Sequence, residues 1–160
     1  NLEYISGSSD IKISHDPIIV IKDELGDAAE TDTAIDKNDE ADKCCDKIHI
    51  VYGDFNQNDA QPYKRYRVTY YARPSGDNEY YAVYKSKQSW MQSTESATGN
   101  WSSSCTECFS GELIRDHLVD MEFIVFDEQG RIINPPPRPD DSSRVDLYNI
   151  KAVDLSLIHI

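Results

Sequence analysis

The chain is short of positive charge. Sixteen lysines and arginines face 29 aspartates and glutamates, a net charge of -13 over 160 residues. So acidic a sequence argues against nucleic-acid binding, which needs clustered Lys and Arg against phosphates. It also disfavours docking on anionic membranes. Cation binding, a basic partner and plain solubility remain open. Long hydrophobic runs are scarce too. The longest, Pro17 to Ile21 and Phe123 to Phe126, fall far short of the ~20 residues that cross a bilayer as a helix, and these 160 residues carry no signal-peptide pattern. HExxH, GxSxG, P-loop and GxGxxG patterns are all missing. His15, His49, His117 and His159 lack metal-ligand spacing, and Asp116-His117 beside Cys108 has nothing to orient it. No nucleophile, base and orienting group can be assembled, so catalysis is not expected. A start at Asn1 without Met, and an end at Ile160 inside an apolar run, are expected of a trimmed or processed stretch.

The length favours one domain that buries roughly 70% of its unfolded surface. Two parts differ in character. Residues 1–47 hold two short strands, an alternating one at Ile11 to Ile13 and a buried one at Ile18 to Ile21, followed by an acidic stretch from Asp23 to Lys47. That stretch reads as a long solvated loop or a weak helix of the same domain. Residues 48–160 read as an antiparallel sheet core. Ile48 to Tyr52, Tyr66 to Tyr71, Tyr80 to Lys85, Leu118 to Phe126 and Ile150 to Ile160 carry the strand pattern. Tyr, Val and Thr suit a half-buried pleated surface, and tyrosines on paired strands can meet. Tyr66, Tyr70 and Val83 are expected in the core. Val119, Met121, Phe123 and Val125 are expected to face one side of their strand, and Val153, Leu155 and Leu157 to share one face of the last strand. His49 and His159 are expected at outward or edge positions. Ser86 to Gly111 reads as a polar loop, Glu112 to His117 as one helical turn, and Pro135 to Pro139 as a rigid crossover. The total is a strand-rich α+β or all-β chain with long loops.

Four cysteines, Cys44, Cys45, Cys105 and Cys108, fit an oxidising compartment and a disulfide framework. Three connectivities exist. Neighbour pairing, Cys44 with Cys45 and Cys105 with Cys108, ranks below the two that tie the acidic stretch to the Cys105 segment. Such a tie closes a loop of about 60 residues and contributes about 4 kcal/mol in the chain-entropy treatment. The rival is zinc on all four thiolates. Cys105 to Cys108 has CxxC spacing, whereas adjacent cysteines do not match the usual knuckle. A thioredoxin-type role needs CxxC at a helix start, but the flanking serines read as loop.

The turn Asp54-x-Asn56-x-Asn58-Asp59 places oxygen side chains at alternate positions, a pattern suited to calcium. It lacks the glycine and the terminal Glu of an EF-hand, and an Asx-rich hairpin turn explains it equally well. Trp90 and Trp101, set in polar sequence, are candidates for a contact surface or for a cover on the sheet. Asn100-Trp101-Ser102 is a glycosylation sequon.

Three segments follow in order: Arg65-Tyr66-Arg67-Val68-Thr69-Tyr70-Tyr71 with a hairpin return ending Tyr84-Lys85, then Glu112-Leu113-Ile114 and Leu118-Val119-Asp120-Met121-Glu122-Phe123 with Phe126-Asp127, then, after a Pro-rich spacer, Ile150 and Ala152-Val153-Asp154-Leu155-Ser156-Leu157. This resembles the PilW-like minor pilins of type IV pili and the related J-class (GspJ/PulJ-type) pseudopilins of type II secretion. The likeness covers roughly residues 48 to 160. It implies an α+β pilin-like head, with a long N-terminal helix packed on an antiparallel sheet. On that resemblance the helix, and the membrane contact it would make, are expected to lie outside these 160 residues. The resemblance further implies a non-catalytic subunit with no required cofactor, acting at the pilus tip or in the initiating complex. Other minor and major pilins or pseudopilins would be its partners. The place implied is the periplasm or an extracellular filament of a Gram-negative bacterium.

Overall fold

Strands form where Ile, Val, Thr and Tyr are dense, because these side chains suit a pleated surface. In the computed structural model, residues 2–5, 12–23, 44–58, 62–76, 79–92, 99–137 and 144–159 are described. Leu2–Ile5 (β1) and Lys12–His15 (β2) make a separate antiparallel ribbon. The other strands build one antiparallel sheet. They are β3 (Ile18–Ile21), β4 (Lys47–Phe55), β5 (Tyr63–Pro74), β6 (Tyr81–Gln92), β7 (Gly99–Ser102), β8 (Phe109–Phe126) and β9 (Ala152–His159). Their order is β3-β4-β5-β6-β8-β9, with β7 also paired to β6.

The expected antiparallel sheet is there. A helical layer is not seen: among the described residues the only helical element is a 3-10 helix, Arg144–Asn149. Two local expectations are corrected. Ser86 to Gly111 is not one loop, because β6 runs on to Gln92 and β7 follows it. Ser86 and Gln88 pair with Thr69 and Arg67, and ladder hydrogen bonds need no apolar side chain. Glu112 to His117 is strand rather than a helical turn. One turn of helix is too short to hold alone, and β6 supplies the backbone partner, as in Tyr84 opposite Leu113.

Residues directly opposite one another share a face of the sheet, so the register sorts the side chains. Ile48, Tyr70, Ala72 and Val83 fall on one face. With Val20, Cys44, Cys45, Leu118, Met121, Phe123 and Val125 they form the apolar core, capped by Leu147 and Ile150 from the 3-10 helix and its end. Tyr66 and Val83 are buried as expected, and Tyr70 packs against the core. Val119 departs from the expectation. The ladder slips between Leu118 and Asp120, so Leu118 and Met121 turn inward while Val119 is exposed. Pro136 and Pro137 are buried, as suits a crossover; residues 138 and 139 lie outside the described ones.

Asp46 ties the start of β4 to β8. Its N–H donates to Met121 O at 2.8 Å. Its carboxylate accepts from Phe123 N at 2.7 Å, Asp23 N at 3.2 Å and Lys22 Nζ at 2.6 Å. Lys22 also donates to Phe123 O at 2.9 Å and Glu122 at 3.3 Å. Burial pulls the Lys22 ammonium down, but Asp46 and Glu122 outweigh it and its pKa ends above the usual lysine value. Of the acidic stretch, residues 24–43 lie outside the described residues.

Candidate functional site

The cysteines form two neighbour pairs, Cys44 with Cys45 and Cys105 with Cys108. The favoured cross-tie between them is therefore corrected, and the physical reason is distance. Cys44 and Cys45 lead into β4 beside Asp120, while the Cys105–Cys108 turn lies just before Phe109 at the other end of β8. Phe109 to Asp120 spans roughly 35 Å of extended chain. The same separation removes a four-thiolate zinc centre. Cys105 to Cys108 closes a tight turn through Cys108 N donating to Cys105 O at 3.0 Å. Glu107 on that turn accepts from Lys87 Nζ at 2.9 Å, which raises the lysine's pKa.

The other pair sits in the apolar core. Cys45 is fully buried and Cys44 nearly so. A carboxylate oxygen of Asp120 joins their sulfurs, all three ligand atoms lying within 4.8 Å of one another. Sequence reading missed Asp120. Alternation alone places it away from Met121, and its cysteine neighbours are far off along the chain.

His49 is not at an edge. It is fully buried on β4, with Thr69 directly opposite on β5. Nδ1 and Thr69 Oγ1 share a hydrogen bond of 2.8 Å, while Nε2 has no partner. Burial, with the Arg67 and Lys47 charges adding, lowers its pKa to about 3. The ring is therefore neutral at physiological pH. Its surroundings are polar and buried: Lys47, Arg67, Thr69, Tyr71 and Ser86 are each under 4% exposed. Arg67 donates to Gln88 Oε1 from Nε at 3.3 Å and from Nη2 at 2.8 Å. Ser86 Oγ accepts from Gly111 N at 2.9 Å. Tyr71 stacks on Tyr84 across the ladder at 5.9 Å. The ring of His159 lies outside the described side chains.

Trp90 on β6 stands opposite Trp101 on β7, so both belong to strands rather than to a loop. Their ring centroids lie 5.3 Å apart at 70°, an edge-to-face arrangement. The Arg67 guanidinium sits 4.9 Å from the Trp101 centroid. Gly99 leaves room for this pair, since a Cβ there would meet the Trp90 ring at 2.6 Å. Both tryptophans are half-buried, and Asn100 of the sequon is exposed.

Asp54, Asn56 and Asn58 are exposed at the β4–β5 hairpin tip, and Asp59 lies outside the described residues. Asp54 stands opposite Lys64. The Asn56 side-chain oxygen accepts from Asn58 N at 3.1 Å, the bond of an Asx turn.

No family model, no curated protein and no solved structure matches the chain.

Proposed function

We propose that this chain is the head of a non-catalytic filament subunit of the minor-pilin type, taking part in type IV pilus assembly outside the cytoplasm. A J-class pseudopilin of a type II secretion system is the variant of the same reading. The segment order over residues 48 to 160 suggests it, and one observation carries it further. On β9, Val153 packs against the core, while Leu155 and Leu157 stand 50% and 42% exposed. They lie opposite Phe123 and Met121, which are buried. The apolar layer of the sheet thus runs outward past its own cover. An exposed apolar row of this kind is a usual mark of a protein contact. In the filament reading its occupant is the long helix that the resembled family packs on its sheet. Other pilins, or pseudopilins in the variant reading, are then the partners of the assembled subunit.

The coding sequence upstream of Asn1 tests this directly. The reading requires a short basic leader, a Gly before the cleavage point, a Glu five residues on and ~20 apolar residues. A cleavable secretory signal leading straight into residue 1 overturns it. A calcium- or ligand-binding domain would then be the reading to test.

A further inference from the structure

The two cysteine pairs differ in what surrounds them. Cys105 and Cys108 close an exposed turn, whereas Cys44 and Cys45 have a carboxylate beside them. Two sulfurs and one carboxylate oxygen within 4.8 Å make a donor set for a thiophilic cation. Tetrahedral zinc holds thiolate at about 2.3 Å and carboxylate at about 2.0 to 2.2 Å. Neighbouring ligand atoms on such an ion are about 3.5 to 3.8 Å apart, so the two sulfurs, bonded to each other in the structure, must part on reduction, while the Asp120 oxygen already lies within 4.8 Å of both. The Asp120 carboxylate is held in place, since its Oδ1 accepts from Met121 N at 2.8 Å. Its half-burial, against the full burial of Cys45, gives an ion an approach from the Asp120 side.

We propose that Cys44, Cys45 and Asp120 form a redox-gated site for a thiophilic divalent cation, zinc or cadmium. In the disulfide state the sulfurs are bonded to each other and the site is shut. A dithiol reductant opens it: two electrons and two protons pass to the cysteines, and the reductant leaves as its own disulfide. The cation then displaces the two thiol protons to solvent, and the two thiolates and the Asp120 carboxylate hold it, with water in the fourth position. No further electron transfer is involved. Thiolate softness selects zinc or cadmium over calcium and magnesium. The site is independent of the filament reading, because it uses side chains of this chain alone.

The test is equilibrium dialysis of the whole chain against zinc, after reduction by a dithiol and removal of the reductant under anaerobic conditions. Three proteins are compared: the chain itself, Asp120→Asn, and Cys105→Ser with Cys108→Ser. Near one zinc per chain is expected in the first and third, and none before reduction. Asp120→Asn is expected to weaken binding at least tenfold. Zinc is also expected to protect Cys44 and Cys45, and not Cys105 and Cys108, from alkylation in the unsubstituted chain. That last readout decides the matter if the serine variant fails to fold. The proposal is overturned if the reduced chain binds no zinc, if the Asp120→Asn chain binds it as tightly, or if protection falls on Cys105 and Cys108.

Discussion

The two faces of the central sheet are buried to similar depth by opposite chemistry. On one face Ile48, Ala72, Val83 and Leu118 pack as hydrocarbon. On the other, Lys47, His49, Arg67, Thr69 and Ser86 are each no more than 3% exposed. The first face is stabilised by area removed from water. The second must satisfy its polar groups, because a buried donor or acceptor left without a partner costs about 1–3 kcal/mol. His49 to Thr69 and Arg67 to Gln88 are such satisfied pairs, and His49 Nε2 is an atom left over. Period-two alternation therefore separates the faces without saying which of them meets water.

The contrast can be broken first through the proton that His49, on the polar face, takes up on unfolding. The pKa of His49 is lowered from 6.5 to about 3 in the folded chain. Between those values the unfolded chain binds the extra proton, so stability falls as pH drops through that window. The expected loss is ~1.4 kcal/mol per pH unit, roughly 5 kcal/mol over the whole window. Urea midpoints taken from pH 7 to pH 3 check this. His49→Gln is expected to flatten the slope by about that amount. An unchanged slope would show that His49 does not titrate as its burial dictates.

The apolar face answers to volume instead. Leu118 is fully buried, so Leu118→Ala should cost roughly 3–5 kcal/mol with no dependence on pH. Denaturant unfolding at two pH values separates this from the His49 effect. Off both faces, the Cys105–Cys108 bridge closes only a short ring. Cys105→Ser with Cys108→Ser should therefore cost about 2 kcal/mol, half of what a 60-residue tie would supply. A loss twice as large would point to bridging across the molecule after all.

Thr69→Val keeps the shape of the polar face and removes the partner of His49 Nδ1. It should cost about 1–3 kcal/mol and alter the pH slope that His49 sets. The smallest expected effect belongs to the hairpin tip. Asn56 already spends an oxygen on Asn58 N–H, so millimolar calcium should leave the thermal midpoint unchanged. A rise of several degrees would instead reveal a bound ion by linkage and support the calcium reading of Asp54, Asn56 and Asn58.

Much of the fold was legible along the chain. Ile48 to Tyr52, Tyr66 to Tyr71 and Leu118 to Phe126 showed their strands because β-branched and aromatic residues sat at a spacing of two. Ser86 to Gln92 and Glu112 to His117 hid theirs. Both segments are polar, and they extend because β5 and β6 offer them backbone partners rather than because of their own side chains. The candidate site was half legible. Cys44 and Cys45 were evident as residues that bond or bind, and Asp120 was not.

The reason lies in the range of the interactions. Alternation, turn residues and charge are local, so residue order alone carries the antiparallel sheet, the hairpin at Asp54 to Asn58 and the apolar row of β9. Partners distant in sequence depend on register and on slips in it. The shift between Leu118 and Asp120 turned Val119 outward and Leu118 inward, while Asp120 came to lie beside two cysteines from the start of β4. The length of β8 kept Cys105 away from Cys44, and the pairing of β4 with β5 buried His49 among charges. None of these follows from neighbours in the chain, because each is set by which strands lie side by side and by where a ladder slips.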